Sequence, residues 1–245
     1  MRITRRDALG AMLLLTTTGM ASIARALDGP MDLKGIGEDF AIASDAYIYG
    51  YPLVTMEMTR RVISNVAKPE GTRAPMGTLI KLREYPDASF RDVTAPNADT
   101  LYTTSFLNLS EEPWVLDVPD MNGRYFLLPL LDGWTNVFDV PGTRTTGTKA
   151  QTYLISGPGW SGQVTEGMKE LKSTTDLVWM LGRIYCTGTK EDYAEVHALQ
   201  DKFKLQPLST WGKDFTPPAG KVDASIDMKT PVRDQVNALS AVEYF

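Results

Sequence analysis

The stretch Tyr125-Phe126-Leu127-Leu128-Pro129-Leu130-Leu131-Asp132-Gly133-Trp134-Thr135-Asn136-Val137-Phe138-Asp139-Val140-Pro141-Gly142 decides the fold. Two short apolar runs, Tyr125–Leu131 and Trp134–Val140, are parted by Asp132-Gly133 and closed by Pro141-Gly142. Asp-Gly between apolar runs predicts a two-residue hairpin, because both residues tolerate the positive φ of a tight turn. The same texture extends outward. Leu101–Leu107 and Trp114–Val118 precede it, Tyr153–Ile155 and Leu177–Tyr185 follow, and Met121-Asn122-Gly123 supplies another turn. Short strands at regular spacing predict an antiparallel sheet or sandwich, not a parallel α/β fold.

Helical patterns flank this core. Residues 38–67 carry two apolar stripes, one through Phe40, Ala43, Tyr47 and Tyr51, the other through Ile42, Ala46, Tyr49 and Leu53. Two stripes predict a helix buried on more than one side, and Pro52 predicts a kink or a division into two helices. Residues 68–99 are irregular, with a strand expected at Gly77–Leu82, and Val164–Leu171 reads as a short helix. Thr189 opens a helix to Phe203, with Asp192 in the capping-box position. Residues 206–231 are Pro-rich, and Val232–Phe245 has a helical pattern that stops on two aromatics. The expected class is α+β: N-terminal helices packed on an antiparallel, sandwich-like β core, with a later helix near 190–203.

The first 26 residues read as an export signal. Arg5-Arg6 lies ahead of the uncharged run Ala8–Ile23, and Ala24-Arg25-Ala26 offers a small-x-small cleavage site. The arginine pair favours the twin-arginine route, and hence a periplasmic or secreted location. The apolar run is diluted by Thr16, Thr17 and Thr18, short of what a membrane anchor needs. Residues 27–37 then read as a linker. Cleavage after Ala26 removes four Arg and one Asp and moves the net charge from -5 to -8. An acidic surface argues against nucleic acid as a partner, since phosphate neutralisation needs clustered Lys and Arg. No membrane span is expected after cleavage. The single Cys186 permits no intrachain disulfide and reads as a buried small hydrophobe.

Standard catalytic sets are missing from the sequence. One His and one Cys leave no zinc or copper site of ordinary type, so no metal is expected, and no cofactor motif can be named. What remains is a set of polar and aromatic residues near predicted strand ends. Asn97, Asp99, Tyr102, Arg124, Trp134, Asn136, Arg144 and Trp160 are the candidate ligand-binding residues. If they converge, Trp134 and Trp160 would wall a cleft for a saccharide or aromatic ligand. If the site is catalytic, Asp99 or Asp132 would act as acid or base, and Arg124 or Arg144 would steady a developing anion. Each residue also has a local use: Asn97 and Asp99 as turn caps, Asp132 as a hairpin residue, and Arg124, Arg144 and Arg183 as loop ties.

These residues also carry a resemblance. Tyr49-Gly50-Tyr51-Pro52, Asn97-Ala98-Asp99-Thr100-Leu101-Tyr102, Gly123-Arg124-Tyr125, Asp132-Gly133-Trp134-Thr135-Asn136, Gly142-Thr143-Arg144, Gly157-Pro158-Gly159-Trp160 and Gly182-Arg183 resemble the domain-of-unknown-function 1254 family over about residues 38–211. The resemblance implies an α+β domain with a β-rich core and no established activity. The murein transglycosylase label carried by some members finds no acid/base pair here to support it. Members commonly continue into a domain-of-unknown-function 1214 partner, so residues 212–245 are expected to be a loop and the start of a truncated C-terminal region. An oligomer or that missing domain would be the protein partner, and a small molecule the ligand.

Overall fold

The computed structural model describes residues 33–87 and 97–245. The expected signal at 1–26 and most of the 27–37 linker lie outside the described residues. The chain forms two units, residues up to Gly50 and Tyr51–Phe245. The first holds the opening turns of helix α1 (Leu33–Ser64), where Phe40, Ile42, Ile48 and Tyr49 stand exposed. The burial expected on two sides is not found there. Pro52 does not divide the helix either: α1 runs through it as one element. A proline deletes one N–H, and the remaining hydrogen bonds of a 32-residue helix carry that loss. Within the second unit, α1 buries Met56 and Val62.

The second unit is built on two sheets. The first has the order β1 (Ile80–Lys81), β2 (Thr100–Asn108), β9 (Leu177–Tyr185), β5 (Leu130–Asp132), β6 (Val137–Asp139), with β4 (Phe126–Leu127) also paired to β9. All its pairs are antiparallel. The second has the order β10 (Lys204–Pro207), β3 (Trp114–Val118), β7 (Gln151–Ser156), β8 (Met168–Lys172). Here β7 and β8 run parallel, so the expected all-antiparallel core is mixed. With α1 and α2 (Lys190–Gln200) the fold is α+β, as the sequence predicts.

Several local departures have visible causes. Residues 164–171 do not form a helix. Gly167 takes φ +84°, which breaks helical continuation, and Met168–Lys172 pairs with β7 instead. The run Tyr125–Leu131 divides at Pro129, which has no N–H for the ladder. The turn after β5 is wider than two residues. Thr135 donates to the Asp132 carbonyl, Asp132 donates to the Asn136 carbonyl, and Thr135, not Gly133, takes positive φ (67°). That is a three-residue hairpin loop, with a register shift beside it at Leu130/Leu131. The C-terminal pattern forms two short helices, α3 (Val232–Ala238) and α4 (Ala241–Tyr244). The chain is extended at Leu239, and a Ser240–Glu243 capping box starts the second helix.

Alternation fills the space between the sheets. Leu101, Leu107, Val178, Met180 and Ile184 of the first sheet join Leu116, Val118, Tyr153, Ile155, Leu171 and Leu205 of the second in one buried cluster. Each such aliphatic side chain contributes about 1.5–3 kcal/mol through removal from water. Helix α2 adds Val196 and Leu199 to the same cluster and is capped by Thr189, whose side chain accepts from the Asp192 N–H.

Gly182, at the middle of this core, has no room for a side chain. A Cβ there would stand 2.4 Å from the Thr103 carbonyl oxygen and 2.7 Å from Leu128 Cδ2. Gly182→Ala is therefore expected to destabilise the protein by about 1–3 kcal/mol through overpacking. Urea denaturation measures this, and an unchanged midpoint would show that the β2–β9 contact is looser than described.

Candidate functional site

The sequence-predicted residues fall into two groups at opposite ends of β9. At the first end, Asp132 closes β5 and is 2% exposed. Its Oδ1 accepts from the N–H groups of Trp134 and Asn136, both at 2.9 Å, and its Oδ2 from Asn136 Nδ2 (3.3 Å) and Thr174 Oγ1 (2.7 Å). Asp132, Trp134 and Asn136 are thus brought together, but as a turn whose carboxylate is already filled by donors. Trp160 belongs to this end as well. Its carbonyl accepts from Lys172 Nζ at 3.2 Å, where β8 leads into β9.

The second end gathers the other candidates. Asn97 Oδ1 accepts from the Thr100 N–H (3.1 Å) and hydroxyl (2.9 Å), and its Nδ2 donates to Tyr102 Oη at 2.9 Å. Asp99 is exposed, and its carbonyl accepts from the Cys186 N–H. Arg124 donates to Asp192 and Glu195, each at 2.7 Å, and to the Tyr185 carbonyl at 3.0 Å. This guanidinium ties the turn before β4 to the first two turns of α2, and its charge is matched by two carboxylates. Asp132 faces Val178, whereas the Asp99 carbonyl meets Cys186. Eight residues of extended chain place them about 26 Å apart, too far for a shared acid/base reaction.

One surface remains chemically unsettled. Along β9, Arg183 and Tyr185 point away from the core cluster, and the register sets Tyr102 and Leu127 on either side of Arg183. Tyr185 lies in the next row beside Tyr125, whose carbonyl accepts its N–H. The Arg183 guanidinium stacks over the Tyr102 ring at 5.2 Å, and that of Arg144 over the Tyr125 ring at 5.4 Å. Neither arginine has a carboxylate partner among the described residues. Arg183 Nε is sealed from water and meets no acceptor among the described residues. Of the expected site residues, Tyr102 and Arg144 belong to this face, with Asn97 orienting the Tyr102 hydroxyl. Arg183 belongs to this face as well, although the sequence pattern offered it only as a loop tie. Its signal was strand parity: it shares the face of Leu181 and Tyr185, opposite the core residues Met180 and Ile184. Such a face can hold an anion by charge and a planar group by stacking.

Other chemistry is sparse. Among the described residues no group of three metal-ligating side chains gathers. His197 Nε2 lies 2.6 Å from the Arg83 carbonyl, and its ring stacks on Tyr193. Cys186 is buried, and its carbonyl accepts from the Tyr85 hydroxyl. No described helix is long and apolar enough to cross a membrane.

The profile of the family described as "Protein of unknown function (DUF1254)" matches residues 76–207, more than half of the chain. The chain belongs to the DUF1254 family. Its matched region runs from just before β1 to the end of β10 and so contains both sheets, both stacked arginines and α2. A solved structure, that of the VPA0106 protein from Vibrio parahaemolyticus, is similar to it at 25% sequence identity and a TM-score of 0.58. The likeness covers 80% of this chain and 45% of that one, so this DUF1254 chain spans less than half the length of its structural relative. Comparison with curated proteins gives no match.

The Arg124 clamp makes a testable demand on pH. The hydrogen bond from Arg124 holds the Asp192 carboxyl below its ordinary value of 3.8. A depressed folded value means that the bridge's contribution is complete above the unfolded value, near pH 4. It is lost as pH falls through the folded value. Arg124→Ala should cost about 2 kcal/mol at pH 7. Its deficit against the native chain should shrink in melts below pH 3. A deficit that stays constant down to pH 2 would show that Asp192 is not what Arg124 stabilises.

Proposed function

We propose that this chain is an exported module of the bacterial envelope that binds a small anionic ligand, a saccharide or aromatic acid, on the face formed by Tyr102, Tyr125, Arg144, Arg183 and Tyr185. The observation that carries this reading is the Arg183 guanidinium, stacked on Tyr102 with a buried Nε that lacks an acceptor. An unmet buried donor costs about 1–3 kcal/mol, and more on a charged group. Folded proteins rarely keep such a cost on a sheet face without a use for it. A ligand carboxylate reaching the terminal nitrogens of Arg183, with help from Arg144, would add charge-assisted bonds on the same group that outweigh the cost left at Nε. The tyrosine rings would receive the ligand's planar body, as aromatic platforms do for sugars and arenes. Binding without turnover fits the placement of the carboxylates: Asp132 is filled by donors and stands about 26 Å along β9 from Asp99, too far for the two to act as a pair.

Titration calorimetry with benzoate and galacturonate tests the binding. At least one of these acids is expected to bind, and its uncharged methyl ester to bind at least about tenfold more weakly. Arg183→Gln should weaken the acid by a similar factor while leaving the fold intact by circular dichroism. Equal binding of acid and ester, or an Arg183→Gln variant with undiminished affinity, would remove this face from the reading.

The export part rests on Arg5-Arg6 and the Ala24-Arg25-Ala26 cleavage site. Replacing both arginines by lysine should leave the protein in the cytoplasmic fraction at full precursor mass, whereas the native chain should reach the periplasm shortened by about 26 residues. Unchanged fractionation of the double variant would overturn the twin-arginine route.

A further inference from the structure

A second site lies away from the arginine face, at the mouth of the sandwich. Strands β1 and β10 each end their own sheet, so neither sheet covers the gap between these two edges. The gap forms a cavity of about 400 Å³, lined by both edges and by the loop after β10. That volume falls in the range of small-molecule pockets.

The lining has two chemistries. Phe203 and Leu205 are nearly fully buried members of the core cluster, so the edge of the apolar interior closes the cavity floor. Phe215 forms a wall, held edge-to-face against Trp114 at 6.4 Å. Lys81, Lys204 and Lys213 are among the residues lining the same space, with one acidic lining residue, Asp214, and with Asp117 of β3 in register across from Lys204. Lys81 is partly engaged: its Nζ lies 3.6 Å from Asp201, which Arg83 also holds. Burial lowers its affinity for a proton. Among the described residues the Lys213 amine donates to the Ser209 carbonyl, and Lys204 has no ion-pair partner. The cavity therefore combines surplus positive charge at its lysines with an aromatic and aliphatic floor.

We infer that this cavity binds an amphipathic anion, with an acid head on Lys204 and Lys213 and a compact apolar body against Phe203, Leu205 and Phe215. Charge alone would suit any small anion, and the apolar floor alone would suit any oil. Only a molecule with both parts uses the whole site. A body of six to ten carbons would fill much of the space, since each buried methylene adds about 0.8 kcal/mol. The site shares no residue with the Arg183 face, so either can fail without the other.

Calorimetry with octanoate, octanol and inorganic phosphate tests the inference on the full chain. Octanoate is expected to bind at least about tenfold more tightly than either half-probe. The double variant Lys204→Gln/Lys213→Gln changes exposed side chains and should fold normally. It is expected to lose about tenfold for octanoate and nothing for octanol, while Arg183→Gln leaves octanoate binding unchanged. Four results would each overturn the inference: no octanoate binding at millimolar concentration, equal binding of octanoate and octanol, equal binding of octanoate and phosphate, or an unweakened double variant.

Discussion

The pairing of β2 with β9 is the constraint on which the second unit depends. Nine consecutive residue pairs, from Thr100↔Tyr185 to Asn108↔Leu177, fix which side of each strand faces inward. A shift of one residue would turn Leu101, Leu107, Met180 and Ile184 out to the other face and bring Tyr102, Arg183 and Tyr185 into the core. The register is guarded where it is tightest, because Gly182 lets the Thr103 carbonyl and Leu128 approach to distances no side chain would allow. Packing between the sheets and the chemistry of the outer face therefore follow from one ladder. Thr104 strengthens it with side-chain bonds to its neighbour strand, donating to the Met180 carbonyl and accepting from the Trp179 indole.

Much of this fold was legible because alternation is a strong signal. The β2, β3, β7 and β9 runs stand within a few residues of where the pattern puts them. The misreadings have separate physical sources. Val164–Leu171 has helix-like spacing, but Gly167 and the free edge of β7 decide in favour of a strand. Asp132-Gly133 reads as a tight turn when only backbone preference is weighed. Four donors converging on the Asp132 carboxylate select the wider loop: three come from Trp134 and Asn136 within it, and the fourth, from Thr174, lies too far along the chain for the pattern to tie it to Asp132. For the candidate site, Tyr102 and Arg144 could be named from the chain, but which arginines were already engaged could not. That depends on Asp192 and Glu195, which α2 delivers from about seventy positions downstream of Arg124.

The arginines show how position, and not residue type, assigns a role. Arg124 is 14% exposed and surrounded by acceptors, so its charge is spent on architecture. Arg183 and Arg144 lie on rings, with no ion-pair partner among the described residues, so their charge is still available. A chain of net charge -5 that keeps two such cations uncompensated on one face, and three lysines around one cavity, distributes its few positive groups unevenly. Local fields of this kind attract anions even where the overall charge would repel them.

The distance along the chain between the two central strands has a consequence for assembly. Thr100 waits for Tyr185, 85 residues later, and such long-range pairing is slow because loop closure precedes any gain. During synthesis β2 emerges with Phe106 and Leu107 bare, and its partner is made only when three quarters of the chain is out. Until then the nascent polypeptide offers an unpaired apolar edge, and holding factors that bind such edges would have their longest opportunity on this segment.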